Sequence, residues 1–536
     1  MTGSDLIVKI LIESGVKVCF GYPGGAAMPL YDSLYKNRRL IKHIRTSHEQ
    51  GASHAADGYA RASGKLGVCI ATSGPGATNL VTGIATAFSD SSHVLFITAN
   101  VNSSEIGTDS FQEADISGIT TPICKYNWTV RDPYMLSQIL KKAMRLSNEG
   151  RPGPVLIDVP HDILSFEYPK GYISEDIQDE SESRTPYVPE VSYETASEIV
   201  KLIKASKKPV IIAGGGVGLS GAYKELSELA HKANIHVAST LMACGVLPYD
   251  DKLSLGMVGA YGNPEALKFV DDADLVIAVG MRFSNRTHGA LSDNKTIIHI
   301  DSDASELGKN VKATLTVCGD AKSVLCKVLE LFDGKEQFSD IGGRMSLVKK
   351  GDYLFSEVAD SLVKDVFFMI REKLGDVCVV TDVGVHQMAT ARLYPFDKPG
   401  RLITSGGFGT MGFGLGADIG VCLASEESSF EGTVLITGDG SFRMSLHELA
   451  SIKENKIKTL IVVINNKSLG MVRDIQKKSF GRRYIATDAV YRNPDFRTVA
   501  RAFGLAGFVA RNKQDFERAL DAYVSGNKAA VIDLRI

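Results

Sequence analysis

Long apolar runs are missing. No stretch reaches the ~18 uninterrupted apolar residues that a membrane-spanning helix needs, and the first residues carry neither an Arg-rich nor a long apolar targeting pattern. Neither a membrane span nor a signal peptide is expected. Paired cysteine motifs are missing too: the eight cysteines are scattered, with no CxxC, no CxxCH and no Cys/His metal spacing. Cys19, Cys69, Cys378 and Cys422 lie in apolar runs. They read as small buried hydrophobes in a reducing compartment, which makes a cytoplasmic protein the expectation. Surplus charge is the third absence, since 60 Lys and Arg stand against 62 Asp and Glu, a net charge of −2. No long-range field recruits nucleic acid or an anionic membrane, so charged ligands must be recognised locally.

What is present is a long alternation of apolar strands and amphipathic helices. The chain of 536 residues exceeds one hydrophobic core and suggests two to four domains of about 100–200 residues each. An amphipathic helix through Leu6, Ile7, Ile10 and Leu11 opens it, with Ser4 and Asp5 as capping residues. Strands are expected at 16–20, 41–45, 67–72, 94–99 and 155–159, with a helix from Glu49 through Ala60. Composition breaks rich in Pro, Ser, Gly and charge at 167–190 and 332–352 read as linkers. Three domains follow, 1–165, 191–332 and 353–536, each an α/β doubly wound parallel sheet. The middle one shows strands at 209–213, 275–279 and 297–300, and the last one at 377–381, 401–404 and 529–536.

The most informative stretch is 433–468. Two short, β-branched apolar runs, 433–437 and 460–464, end on Gly438-Asp439-Gly440-Ser441 and Asn465-Asn466-Lys467-Ser468. Helical periodicity over 444–456 between them completes a βαβ unit, which sets Asp439 and Asn466 side by side at the carboxyl ends of neighbouring strands. Asp439 offers a hard carboxylate and Asn466 a hard amide oxygen, while Gly438 and Gly440 let backbone approach a bulky anion. Ser441 opens the next helix with free N–H groups facing the same anion. Mg²⁺ holding a diphosphate suits that set, because this ion takes few protein ligands and completes its shell with phosphate and water oxygens. Alone, Gly-Asp-Gly would read as a tight turn with capping residues.

This segment resembles the metal-diphosphate motif of thiamine-diphosphate enzymes, and the surrounding sequence is similar to the acetolactate (acetohydroxyacid) synthase branch over nearly the whole chain. The resemblance implies Asp439, Asn466 and the carbonyl of Ser468 as ligands of Mg²⁺. It implies Glu49, in His48-Glu49-Gln50-Gly51-Ala52, as the acid that protonates N1′ of the aminopyrimidine, a task for a water-poor pocket. Gly25, in the glycine-rich turn at 21–26, and Phe111 and Gln112, in the loop at 107–115, are implied at the reacting centre. On the cofactor side it implies His386 as a diphosphate donor, Gly409 and Met411 of the Gly-Thr-Met-Gly turn beneath the cofactor, and Met471 on a pocket helix.

In the middle domain the run Gly214-Gly215-Gly216-Val217-Gly218 follows a strand but lacks a regular dinucleotide spacing, so a purely structural Rossmann-like domain competes with a nucleotide site. The resemblance implies FAD there, as a non-redox ligand, through Arg151, Gly214, Gly215, Thr240, Leu241, Arg282 and Asp301. Arg286 is implied to face a second ketoacid, as a planar bidentate donor for its carboxylate. Ile475 stands where the large enzymes of the family carry a tryptophan, His161 where they carry a lysine and Ala260 where they carry a methionine. These three changes point to a shifted acceptor pocket, one wall contact being worth about 1–3 kcal/mol of discrimination. The implied activity is decarboxylation of pyruvate and carboligation to a second 2-ketoacid, giving acetolactate, with another 2-ketoacid decarboxylase or carboligase as the alternative. The implied assembly is a homodimer or homotetramer with active sites between subunits, and a regulatory subunit is a further implied partner.

Overall fold

The computed structural model describes residues 1–171, 189–287, 295–334, 354–487 and 493–536. Most of both expected linkers, 172–188 and 335–353, lies outside the described residues.

Three six-stranded, wholly parallel sheets follow one another along the chain. The first holds β1 (Val18–Gly21), β2 (Lys42–Arg45), β3 (Gly67–Ala71), β4 (Val94–Asn100), β5 (Tyr126–Thr129) and β6 (Val155–Pro160), in the order 2-1-3-4-6-5. The second holds β7 (Pro209–Ala213), β8 (His236–Ser239), β9 (Ser254–Met257), β10 (Leu275–Val279), β11 (Thr296–Asp301) and β12 (Leu315–Cys318), in the order 12-11-10-7-8-9. The third holds β13 (Val377–Thr381), β14 (Leu402–Thr404), β15 (Gly432–Gly438), β16 (Leu460–Asn465), β17 (Ala506–Ala510) and β18 (Ala530–Arg535), in the order 14-13-15-16-18-17. Counted from its own first strand, the third sheet repeats the order of the first, while the middle sheet has the 3-2-1-4-5-6 order of dinucleotide-binding folds. The central strands are buried along their whole length, as β3, β4, β7, β10 and β13 show, because helices cover both faces of such sheets.

The first and third domains share one core. Phe20, Ala52, Ala56 and Phe96 of the first belong to the same apolar cluster as Phe413, Leu435, Phe442 and Val531 of the third. The junction is a helix pair, Glu49–Ser63 against Phe413–Ala424, in which small residues let two backbones touch. A Cβ on Gly58 would collide with the carbonyl oxygen of Ala417, and one on Gly420 with that of Ala55. The middle domain keeps a core of its own around Ile211, Leu226, Ile277 and Val324.

Several local expectations are corrected. The first helix, Gly3–Glu13, is capped by Thr2 and not by Ser4: Thr2 Oγ1 accepts from Asp5 N at 3.2 Å and Asp5 Oδ2 accepts from Thr2 N at 3.0 Å. Ser4 is buried inside the helix and donates to the Leu164 carbonyl. The helix expected over 444–456 is two shorter ones, Asp439–Met444 and Glu448–Glu454, so Asp439 is a helix start and not a turn residue. The edge strands β5 and β17 carry polar or small residues and are only partly covered, which hid them from a search for apolar runs. All eight cysteines are unpaired; burial pushes the Cys19, Cys244 and Cys378 thiols up to about 12, which keeps them protonated and inert. Among the described residues no helix is long and apolar enough to cross a membrane.

Candidate functional site

The end of the site that carries Asp439 and Asn466 is built by two neighbouring strands. β15 and β16 pair in parallel with Gly438 opposite Ile464, so Asp439 and Asn465-Asn466 leave adjacent strand ends together. Asp439 is buried, and loss of solvent raises its pKa above the ordinary carboxylate value while Asn493 opposes the shift. Asn493 Nδ2 donates to Asp439 Oδ2 at 2.6 Å and to Asn465 Oδ1 at 2.9 Å, and Asn465 in turn donates to Asp533. Asn466 Oδ1 accepts from Ser468 N at 3.1 Å, which folds the 466–468 turn back on itself.

Around this pair lie groups shaped for an anion. His386 is buried, and burial lowers its pKa to about 3, which keeps the ring neutral. Its Nε2 has no hydrogen-bond partner among the described residues, and a Cβ on Gly438 would come within 2.5 Å of its Nδ1. An anion held beside the ring would favour a proton on it. Ser441 Oγ donates to the Val383 carbonyl, tying the start of the 439–444 helix to the loop after β13.

The turn carrying Gly409 and Met411 is fastened from both sides. Ser405 Oγ accepts from Gly409 N and Thr410 N at 3.1 and 3.0 Å, Thr410 pairs with Thr86 of the first domain at 2.7 Å, and Asp382 accepts from Gly412 N and Gly414 N. Gly409 and Gly412 have φ of +74° and +89°, which a side chain would strain. Helix Gly470–Ser479 begins beside Asn466 and Val385 and carries Met471; no residue of it is buried.

The opposite end comes from the first domain. Glu49 is the first residue of its helix, His48 Nδ1 caps the helix by accepting from Gln50 N, and Glu49 Oε2 accepts from Asn79 Nδ2 at 2.9 Å. Its Oε1 lies where a Cβ on Gly76 would stand 3.2 Å away, and Gly24 and Gly76 both crowd Thr72. Gly74 backs onto Gln112, whose φ is +61°, so the 107–115 loop closes over the glycine turn. Phe111 is 88% exposed on that loop. Gly25 starts a single turn of 3-10 helix with open space beside its Cα.

A separate cavity of about 740 Å³ opens at the carboxyl ends of β7, β8, β10 and β11, where the middle sheet reverses its strand order. Arg151, Gly215, Thr240, Leu241, Arg282 and Asp301 line it, and so do Arg286 and Ala260. Gly214 does not line it; a Cβ there would strike the Gly280 carbonyl, so this glycine serves the packing of two turns. Burial raises the Asp301 pKa and lowers that of Arg282, with Arg151 nearby as a second cation. The carboxylate of Asp301 suits ribose hydroxyls, and the size suits a nucleotide ligand.

Three family models match the chain in order: the thiamine pyrophosphate enzyme N-terminal binding domain over residues 1–119, the central domain over 196–328 and the C-terminal binding domain over 382–534. The chain is 40% identical along its whole length to the probable acetolactate synthase large subunit of Methanocaldococcus jannaschii, covering 92% of it. It is 41% identical over 94% of its length to the acetolactate synthase large subunit of Lactococcus lactis, covering 87% of that protein, and 38% identical over its whole length to the isozyme 3 large subunit of Escherichia coli, covering 95%. The chain belongs to the acetolactate synthase branch of the thiamine pyrophosphate enzymes.

For a thiamine pyrophosphate enzyme the placement of the named residues divides into three groups. Asp439, Gly438, Gly440, Ser441, Asn466, Ser468, His386, Gly409, Met411 and Met471 belong to the third domain, and Gly25, Glu49, Phe111 and Gln112 to the first. Of the acceptor positions, Arg286 and Ala260 face the middle cavity, Ile475 sits half exposed on helix Gly470–Ser479, and His161 opens the helix after β6. The cavity is lined by Arg286 and Ala260 and by neither Ile475 nor His161. Asn79, Asp382 and Asn493 escaped sequence reasoning: each acts by holding a neighbour that only the fold supplies, and Asn493 follows residues that carry no motif.

Proposed function

We propose that the protein decarboxylates pyruvate and joins the two-carbon fragment to a second 2-ketoacid, forming acetolactate. The observation that carries this reading is the pair Asp439 and Asn466 at adjacent strand ends beside a buried, neutral His386. Asp439, Asn466 and the Ser468 carbonyl would hold Mg²⁺, while Gly438, Gly440, Ser441 and His386 would hold the diphosphate. Bound thiamine diphosphate supplies the electron sink for loss of CO₂ and for attack on the second carbonyl. Met411, on the fastened turn, would pack against the bound cofactor. Glu49 keeps a proton at N1′ of the aminopyrimidine, and its partner Asn79 fixes the carboxyl's orientation. Gly25 shapes the floor of this end, Phe111 excludes water, and Gln112 hydrogen-bonds the ketoacid. Arg286 takes the acceptor's carboxylate, with Ile475, His161 and Ala260 setting the size of the acceptor pocket.

Non-redox FAD fits the middle cavity, held by Arg151, Gly215, Thr240, Leu241, Arg282 and Asp301 with Gly214 shaping the turn. The working unit is at least a homodimer in which the first domain of one chain faces the third domain of the other. Exposure of Phe111, Phe408 and Ile485 at 88, 53 and 76% supports that reading, since a second copy would cover apolar side chains a monomer leaves in water. The relatives' designation as large subunits supports a regulatory partner. The test is a pyruvate assay with thiamine diphosphate and Mg²⁺, with and without FAD, that identifies products. Acetolactate is the expected product; CO₂ with acetaldehyde, or no reaction, would overturn the proposed acceptor or donor.

A further inference from the structure

One buried carboxylate plays no part in the chemistry above yet touches its proton donor's helix. Glu448 begins the helix Glu448–Glu454 of the third domain, is 0% exposed, and reaches across to the first domain. Its Oε2 accepts from the backbone N–H of Ser47 at 3.1 Å and from Ser451 Oγ at 2.7 Å, and the His48 backbone N–H also bears on the carboxylate. Ser47 Oγ in turn donates to the His447 carbonyl at 2.9 Å and pairs with Ser451 Oγ at 3.0 Å. Glu448 Oε1 lies 3.5 Å from His447 Nε2 and against the Cα of Gly51, where any Cβ would collide with it. Residues 47, 48 and 51 thus dock on one carboxylate, and the residue they enclose is Glu49.

We propose that Glu448 is the positioning residue that sets Glu49, a latch by which the third domain of a chain aims the catalytic acid carried by its first domain. This rests on the reading of Glu49 given above. The physical argument is one of leverage. Glu49 is the first residue of its helix, so its backbone has no preceding helical turn to hold it; the N–H groups before it are among those that helices leave unpaired. Two N–H groups and a hydroxyl bonded to a buried carboxylate make charge-assisted hydrogen bonds, about twice as strong as neutral ones. Gly51 admits the carboxylate at contact distance. Without the latch, the turn entering the helix gains freedom, and the Glu49 carboxyl loses its fixed distance to whatever it protonates. The outer ion pair at the same junction, Arg45 with Glu454 at 2.6 Å, is exposed and far less suited to fix geometry.

The test compares Glu448→Ala, Glu448→Gln and Gly51→Ala with Glu49→Gln and with Arg45→Met, all as full-length protein. Glu448→Ala is expected to lower kcat about 100-fold, the cost of an ångström-scale misplacement. The KM for pyruvate and the half-saturating thiamine diphosphate concentration should change by less than about twofold, since ground-state binding is untouched. Glu448→Gln keeps an acceptor and should fall between, which also serves if the alanine variant does not fold; Gly51→Ala should repeat the loss from the other side. Without any cofactor, amide hydrogen exchange over residues 46–51 should accelerate in Glu448→Ala while the third sheet exchanges as in wild type. Arg45→Met should leave kcat within about twofold. Wild-type kcat in Glu448→Ala, or a loss accompanied by raised KM and faster exchange throughout the third domain, overturns the latch. Full turnover in Glu49→Gln would instead remove the reading on which it stands; an inactive Glu49→Gln beside a fully active Glu448→Ala would remove the latch alone.

Discussion

Asn493 shows how far a single hydrogen bond governs a charged site. Its amide holds Asp439 Oδ2 at 2.6 Å and is itself backed by the chain Asn465, Asp533 and Arg535. A carboxylate that must present one oxygen to a cation benefits from having the other tied down, and such outer partners are typically worth about 10–100-fold in metal affinity. Asn493→Ala is therefore expected to weaken Mg²⁺-dependent binding of thiamine diphosphate by about 10–100-fold with little change in kcat at saturation, read by calorimetric titration of the cofactor-free protein. Unchanged affinity would mean that Asp439 presents its free oxygen correctly without the Asn493 hydrogen bond. Glu49→Gln is the complementary case. It removes the carboxyl group but keeps the shape and one acceptor for Asn79, so turnover should be lost while cofactor affinity stays near wild type in the same titration.

At the scale of elements the helix pair Glu49–Ser63 and Phe413–Ala424 decides whether the two halves meet. Intrinsic propensity alone makes Gly58→Ala stabilising by ~1 kcal/mol, because glycine is a poor helix former. Contact with Ala417 reverses the sign, and overpacking at such a site costs about 1–3 kcal/mol, so the melting temperature should fall. A rise would show that the helices do not touch as described. Asp418, on the same pair, is buried so completely that desolvation lifts its pKa from 3.8 to about 7, against the hydrogen bonds from Thr459 and Thr433. The folded chain then keeps a proton that the unfolded chain releases, so this group favours folding at acid pH and loses that contribution as pH climbs from about 4 through 7. The non-titrating variant Asp418→Asn should gain on wild type in melting temperature across that window and run parallel above it. A difference that stays constant from pH 5 to pH 8 would contradict the shift.

These elements also explain what was legible in the chain. Strands β7, β10 and β13 coincide with the apolar runs at 209–213, 275–279 and 377–381, since burial on both faces leaves an unbroken apolar signature. β5 and β17 stayed hidden because small or polar residues break up these short, partly covered strands, whereas the edge strands β2 and β14 fall on expected runs. The parallel pairing behind Asp439 and Asn466 was readable because a short βαβ unit has one sensible geometry. Asn493, Glu448 and the Asp90 carboxylate that takes the Gly406 and Gly407 N–H groups were not, because each acts across a domain boundary or a long loop where spacing carries no information.

The whole molecule repeats one topology at its two ends: sheets of order 2-1-3-4-6-5, the first bearing Glu49 and the third Asp439. The two are joined in one chain by helices packed along small residues, and on that packed side Glu49 bonds Asn79 of its own domain. In the proposed assembly a second copy completes the sites, first domain to third, and twofold symmetry gives two equal sites per dimer. Mixing chains tests that directly. Glu49→Gln and Asp439→Ala should each be inactive alone. In a dimer holding one of each, the site formed by the unaltered Glu49 of one chain and the unaltered Asp439 of the other is intact, and its companion carries both lesions. Unfolding and refolding the two variants together in equal amounts should restore about a quarter of wild-type turnover, because half the dimers are mixed and half of their sites whole. If instead each chain completed its own site, every site in the mixture would carry one lesion and turnover would stay at the level of the separate variants.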